Sequence, residues 1–379
     1  MAASKRIPIL FLFPAFDHLR PITGGQKYNS VMIERALSDV RFAVRIAPGA
    51  PTLPGFVEHN ALLRRAWYQI RCAAIVLATP CSFLVTDVSS HSLVMLAIAL
   101  ARLLRRRTRI VIMAFHLRYI TSSRVGLSLR IERLSEHELL RLADHCVAIS
   151  EDSRARLLNV GVPAERVTIV RPAIDFPLPD LQALIERCTC HGSEHEIRLL
   201  YVGGCTPRKG LEYLIAAIGR LSDLRLHLDI VGRCDPQSPY VQKLQGLMRE
   251  LGLEERITFT GRVSDEERAA LYREADAFVF PSLDEGYGIV LVEAMGYGLP
   301  IVASRVGAIP ELVMDQQTGL LVPPADPEAL ASAIARLASS PQEREELGRN
   351  GYRRARELAR SWDTVGAELM ALFARLEQR

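Results

Sequence analysis

No run of this 379-residue chain is long and apolar enough to span a bilayer. The best candidate, Leu93 to Leu104, includes Arg102 and falls well short of the roughly 20 residues a spanning helix needs, so a buried helix is expected there. A large excess of one charge is also missing. The net charge is +4 with an isoelectric point near 8.7, which by itself implies no nucleic-acid partner. Cysteine is sparse, scattered and odd in number at 7, so at least one thiol is unpaired, and a reducing cytoplasm is expected. No short repeat or low-complexity tract is present. The opening MAASKRIPILFLF runs into Pro14, Phe16 and Asp17 without a small-residue cleavage site, and it reads as a first core strand rather than a secretory signal.

What is present is a core-forming composition, 49% hydrophobic and 24% charged, on a length that suits two domains. Apolar strand-like runs alternate with amphipathic helical stretches through both halves, the pattern of parallel sheets with crossover helices. In the first half IPILFLF, RFAVRIA, AAIVLA, SFLVTD, RIVIMAF, HCVAIS and VTIVRP read as strands. In the second, EIRLLYVGG, LRLHLDIVG, RITFTG, AFVFPS, PIVAS and GLLVPP do. The rhythm is lost near Pro177, Pro179, Cys188, Cys190 and Gly192. The expected organisation is therefore an α/β chain of two doubly wound domains, 1–176 and 197–361, joined by a linker at 177–196. A last helix, 362–379, carries the apolar stripe Val365, Leu369, Leu372, Phe373 and Leu376.

The segment DEGYGIVLVEAMGYGLPIVASRVGAIPELV carries most of the chemistry. Seven residues separate Glu285 from Glu293, and Gly286 and Gly288 follow the first acid. Because FVFPS reads as a strand and Ile289 to Met295 as a helix, the glycines fall on a strand-to-helix turn, where open α/β sheets bind ligands. Glycines let backbone approach an anion, and the N–H groups of a first helical turn favour phosphate. Carboxylates repel phosphate yet accept hydrogen bonds from sugar hydroxyls, so this pair suggests a ligand carrying both groups. A second element, YVGGCTPRKGLEYLI, ends a strand at Gly203 and sets Arg208 and Lys209 ahead of a helix, where two cations can hold a diphosphate and offset leaving-group charge.

EGYGIVLVEAM, VGGCTPRKGLEYL and the strand-final His116 together resemble the retaining glycosyltransferases of family 4, also called glycosyl transferases group 1. The resemblance covers the second domain well and the first loosely. It implies the GT-B fold, two Rossmann-like domains facing each other across a cleft, with the last helix packing back on the N-terminal, acceptor-side domain. By the same resemblance Glu293 holds the ribose hydroxyls, Glu285 touches the donor sugar, and Arg208 and Lys209 clamp the diphosphate. The run Gly286, Tyr287, Gly288, Ile289 and Val290 lines the donor, with the N–H groups of Gly288 and Ile289 meeting phosphate and sugar. Val263 sits by the base, Gly24 and Gly25 form a donor-facing loop, and His116 lies near the anomeric carbon, making His116, Glu285 and Lys209 the catalytic candidates. Many relatives carry an arginine directly after the glycine of the VG pair, where this chain has Gly204, so Arg208 supplies that charge from four residues later. Relatives also often show an Asn-Gly pair where this chain reads RPAID.

The expected reaction moves a sugar from a nucleoside diphosphate sugar to an acceptor hydroxyl on a glycan, lipid or small molecule, with retention of configuration. No metal or cofactor is required by these residues. Two alternatives stand beside it: a nucleotide-sugar epimerase on the same fold, and a non-catalytic nucleotide-sugar-binding subunit. Blander readings also apply to single residues. Glu285 and Glu293 could be charges of a helix start and surface, and His116 a hydrogen-bonded strand end. Cys188, Cys190, His191 and His195 lack the spacing of a usual zinc site and read as linker. The basic run from Arg102 to Arg109 reads as a helix end, with attraction to an anionic membrane surface or to a phosphate-bearing lipid acceptor as its functional reading.

Overall fold

The computed structural model describes residues 6–13, 24–47, 61–105, 107–115, 126–174, 176, 178, 179 and 196–378. The chain divides into two compact units. Unit 1 is Met1–Ala173 with Arg360–Arg379, and unit 2 is Ile174–Ala359.

Unit 1 is built on six parallel strands: β1 (Ile7–Phe11), β2 (Phe42–Ile46), β3 (Phe83–Asp87), β4 (Arg109–Ala114), β5 (His145–Ala148) and β6 (Val167–Ile169), in the order β2-β1-β3-β4-β5-β6. Its helices are α1 (Gly24–Ser38), α2 (Ala61–Ala78), α3 (His91–Leu104), α4 (Leu127–Leu142) and α5 (Glu151–Asn159). Strands β3 and β5 are buried along their whole length, as expected of parallel strands covered on both faces. The start of α5 is fixed by Ser150 and Ser153, which cap each other's backbone N–H groups.

One expected strand is a helix. AAIVLA forms the last turns of α2, because Cys72, Ala73 and Val76 point into the core while Leu77 is exposed, a helical period with no breaker before Pro80.

The C-terminal helix α13 (Trp362–Gln378) belongs to unit 1, packed on α1. Gly366 lies against the Arg35 methylenes, where an added Cβ would come within 2.3 Å of Arg35 Cγ, and Arg35 pairs with Asp363. Phe373, fully buried, meets Phe83 at 5.4 Å and Phe42 at 6.4 Å between ring centroids.

Unit 2 repeats the plan with β7 (Ile197–Val202), β8 (Leu226–Val231), β9 (Ile257–Gly261), β10 (Ala277–Phe280), β11 (Ile301–Ser304) and β12 (Gly319–Val322), all parallel and ordered β12-β11-β10-β7-β8-β9. Between and after them run α6 (Leu211–Gly219), α7 (Pro239–Glu250), α8 (Asp265–Glu274), α9 (Ile289–Gly296), the short α10 (Ile309–Leu312), α11 (Pro327–Ser339) and α12 (Pro341–Leu358). Ser264 and Glu267 form the capping box that starts α8. Strands β7 and β10 are hydrogen-bonded neighbours, so the loops leaving their C-terminal ends lie side by side.

Candidate active site

Those two loops, 203–210 and 281–288, are stitched together by hydrogen bonds to backbone carbonyls. Leu283 N–H donates to the Arg208 carbonyl at 2.8 Å, and Arg208 Nη1 donates to the Asp284 carbonyl at 2.5 Å. Gly210 has φ +63°, and a Cβ there would lie 2.3 Å from the Pro281 carbonyl oxygen, so only glycine lets the loops approach this closely. The approach brings three predicted site residues into one cluster. Lys209 Nζ donates to Glu285 Oε2 at 2.5 Å, and Arg208 Nη1 reaches the same oxygen at 3.4 Å. Lys209 also stands 4.4 Å over the Phe280 ring. The Lys209 and Glu285 side chains are only 13% and 12% exposed, so their charges face each other with little water between. Burial, with help from the Arg208 charge, pulls the Lys209 ammonium below its usual 10.5, and Glu285 works against that fall.

The Glu285 backbone is anchored from the other side. Ala308 N–H donates to its carbonyl at 3.0 Å, and Gly307, at φ +53°, fits where a Cβ would come within 2.1 Å of that oxygen. After Gly286 and the buried Tyr287, Gly288 takes φ +97° and caps α9. Ile289 and Val290 form its first turn, whose N–H groups have no partner one turn earlier.

Glu293 sits one turn further along α9. Its Oε2 accepts a hydrogen bond from Tyr272 Oη at 3.1 Å and lies 4.0 Å from Arg268 Nε. Tyr272 is buried and stacked on Tyr297 at 5.1 Å. Burial first, and the Glu293 charge second, push its hydroxyl far above its usual 10.0, so it remains a donor.

The other predicted residues are placed differently. Gly203 directly follows β7, where a Cβ would meet Tyr201 Oη at 2.5 Å. Val263 is half-buried between β9 and α8, two strands from β7 in the sheet. Gly24 and Gly25 are the first two residues of helix α1 and not a loop. His116, and the linker residues Cys188, Cys190, His191 and His195, lie outside the described residues. Among the described residues no group of three or more His, Cys, Asp or Glu side chains is placed to hold a metal ion.

Residues 191–354 match the family Glycosyl transferases group 1, and residues 37–176 match Glycosyltransferase Family 4. The chain belongs to these glycosyltransferases. It is 41% identical over 169 residues to the MMP α-(1→4)-mannosyltransferase of Mycolicibacterium hassiacum, covering 44% of this chain and 40% of that protein. It is 31% identical over 251 residues to the D-inositol 3-phosphate glycosyltransferase of Corynebacterium efficiens, covering 64% and 59%. The matches thus span about half the length of these curated relatives. Among solved structures, sucrose-phosphate synthase from Thermosynechococcus elongatus aligns over 98% of this chain and 100% of its own, with a TM-score of 0.76 at 24% identity. The likeness gives the fold, GT-B.

Two features of this candidate site went unread in the sequence. Tyr272 reaches Glu293 from a neighbouring helix, and no local pattern marks it. The second had a signal. VGGC and VGRC each end a strand, and β7 and β8 pair in parallel with Val202 opposite Val231, so the cysteine three residues past each strand meets the other. Cys205 and Cys234 are disulfide-bonded, with Cα atoms 4.9 Å apart. The described free thiols, Cys72, Cys81 and Cys146, are partly or fully buried. Burial pushes Cys72 to about 11 and Cys146 to about 12, which makes them poor nucleophiles.

The basic run at the end of α3 is largely used internally. Arg102 Nε donates to the Leu142 carbonyl at 2.9 Å and its Nη2 lies 2.8 Å from Asp144. Arg105 bonds the Thr79 and Leu77 carbonyls, and Arg109 pairs with Glu377 at 3.3 Å. These arginines tie helix ends together. No helix among the described residues is long and apolar enough to cross a membrane.

Proposed function

We propose that the chain transfers a hexose from a nucleoside diphosphate sugar to an acceptor hydroxyl with retention of configuration at the transferred carbon. The observation that carries this reading is the Lys209–Arg208–Glu285 cluster on two adjoining strand-end loops, directly before the N-terminus of α9. Lys209 and Arg208 offer two cations to the diphosphate, and the α9 N–H groups add a third positive end, so the departing phosphate's charge is neutralised by the chain itself. Glu285 shares that space and accepts hydrogen bonds from hydroxyls of the sugar joined to the same phosphate. Glu293, oriented by Tyr272, takes the ribose hydroxyls, which separates the job of holding the nucleotide from the job of stabilising its departure. In this reading the leaving phosphate accepts the acceptor's proton on the face where the new bond forms.

The test is to incubate the protein with a panel of nucleoside diphosphate sugars and acceptors, beginning with mannosyl donors and inositol phosphate because the two relatives are named for such chemistry. Acceptor-dependent release of nucleoside diphosphate, with a product of unchanged anomeric configuration by NMR, is the expected result. Inverted product, or turnover of donor without acceptor, overturns the reading.

A further inference from the structure

Large apolar side chains are exposed very unevenly. Among the described residues unit 2 contributes only Leu251 and Met314, and unit 1 supplies all the others. Within unit 1 most of them fall on three neighbouring helices, since α2 packs on α3 and α3 on α4 over one face of the sheet. Each of the three helices exposes an apolar line. On α2 the line is Leu63, Ile70 and Leu77, seven residues apart and therefore on one side of the helix; on α3 it is Leu96 and Leu103, with Leu104 beside them. On α4, Leu127, Ile131 and Leu134 are 72%, 49% and 62% exposed. A soluble surface seldom gathers such lines side by side, and when it does the patch marks an interaction.

The exposed charges on these helices are almost all positive. Helices α2 and α3 contain no Asp or Glu. On α4, Glu132 and Glu136 are buried, leaving Glu138 as its exposed acid, while Arg130, Arg133 and Arg141 are exposed. Arg64 on α2 and Arg107 just past α3 are exposed as well. Basic side chains interleaved with leucines and isoleucines, spread over a layer of three helices, match the headgroup zone of an anionic bilayer: the apolar tips enter the acyl boundary and the guanidinium groups meet lipid phosphates. A second copy of the chain is a poor occupant, because pairing this face with itself would set arginine against arginine with one exposed acid per α4 to offset them.

We infer that the outer face of α2, α3 and α4 is a peripheral binding surface for anionic membranes. It takes only Leu103, Leu104 and Arg107 from the Arg102 to Arg109 run expected from the sequence, where Arg102, Arg105 and Arg109 are engaged inside the unit, and it stands independently of the sugar-transfer reading.

The test is co-sedimentation of the full chain with vesicles of phosphatidylcholine alone and of phosphatidylcholine mixed with phosphatidylglycerol, at low and high salt. Wild type should bind the mixed vesicles, bind the neutral ones at least about tenfold less, and lose binding as salt rises. The variant Leu127→Gln/Ile131→Gln/Leu134→Gln should lower binding about tenfold or more with its melting temperature unchanged, while Leu251→Gln on unit 2 should bind like wild type. Equal binding by the triple variant, equal binding to neutral vesicles, or no binding to either would overturn the inference. So would a concentration-dependent dimer in sedimentation velocity that the triple variant abolishes, which would assign the face to a second copy.

Discussion

Units 1 and 2 share an architecture of six parallel strands, yet they use it differently. Unit 2 hides its apolar residues, and at the C-terminal ends of β7 and β10 it concentrates charge: Lys209, Arg208 and Glu285 share one hydrogen-bonded cluster, with Glu293 bound to Tyr272 on the helix that follows. Unit 1 exposes leucines and arginines along α2, α3 and α4, and it depends on a helix contributed from the far end of the chain. The fold is therefore a neutral frame. What distinguishes the halves is where side chains of each kind stand on it.

The comparison can be broken most forcefully at α13. A chain ending after Arg360 loses Val365, Leu369, Met370, Leu372, Phe373 and Leu376 from the unit 1 core. At about 1.5 to 3 kcal/mol each, the loss is on the order of 10 kcal/mol, comparable with a whole domain's margin. Limited proteolysis should then degrade unit 1 and spare unit 2. Equal resistance of both units would show that α13 contributes little to unit 1.

Next in size is the clamp. Lys209→Ala should lower turnover about 100- to 1,000-fold, the usual effect of removing one preorganised charge-stabilising donor, with a much smaller change in melting temperature. Wild-type kcat in this variant would mean that the diphosphate is held elsewhere.

A smaller effect separates orientation from contact. Tyr272→Phe removes the hydroxyl that donates to Glu293 and should weaken nucleotide binding by about 1 kcal/mol, roughly fivefold, with kcat nearly preserved. If kcat falls while affinity stays, Glu293 acts on the transition state and its place in the ribose site is wrong.

The subtlest sign is in pH. Folding lowers the Lys209 pKa, so from the folded value up to 10.5 the unfolded chain holds more protons at this position, and stability from this group rises with pH across that window. The cost of burying the ammonium is fully present below it. Turnover should fall within the same window as the clamp loses its charge, so its alkaline limb should begin below pH 10.5 in wild type and move upward in Lys209→Arg. Coincident limbs would assign the limb to another group.

Much of this was legible in the chain. Continuous apolar runs such as IVIMA and AFVF, rich in β-branched and aromatic residues, read as parallel strands covered on both sides and are so, and the glycines at 286, 288 and 210 mark turns between strand and helix. AAIVLA misled because a short apolar run at the end of a helix has the composition of a strand, and only the burial of Cys72, Ala73 and Val76 reveals its period. The candidate cluster was legible where its members lie on loops leaving strand ends, as Lys209 and Glu285 do. Tyr272 was not, because its link to Glu293 depends on how α8 and α9 lie against each other. Cys205 and Cys234 were an intermediate case, readable once β7 and β8 are known to pair in register.

The central claim is that unit 2 holds the nucleotide through Glu293 and the Lys209 cluster. Calorimetric titration of GDP and of UDP into wild type, Glu293→Gln and Lys209→Ala tests it most directly, because binding is read without any acceptor. One of the two nucleotides should bind wild type, and each substitution should weaken that binding by about 1 to 3 kcal/mol, roughly 5- to 150-fold, through loss of charge-assisted hydrogen bonds. Affinity unchanged from wild type in both variants would contradict the account.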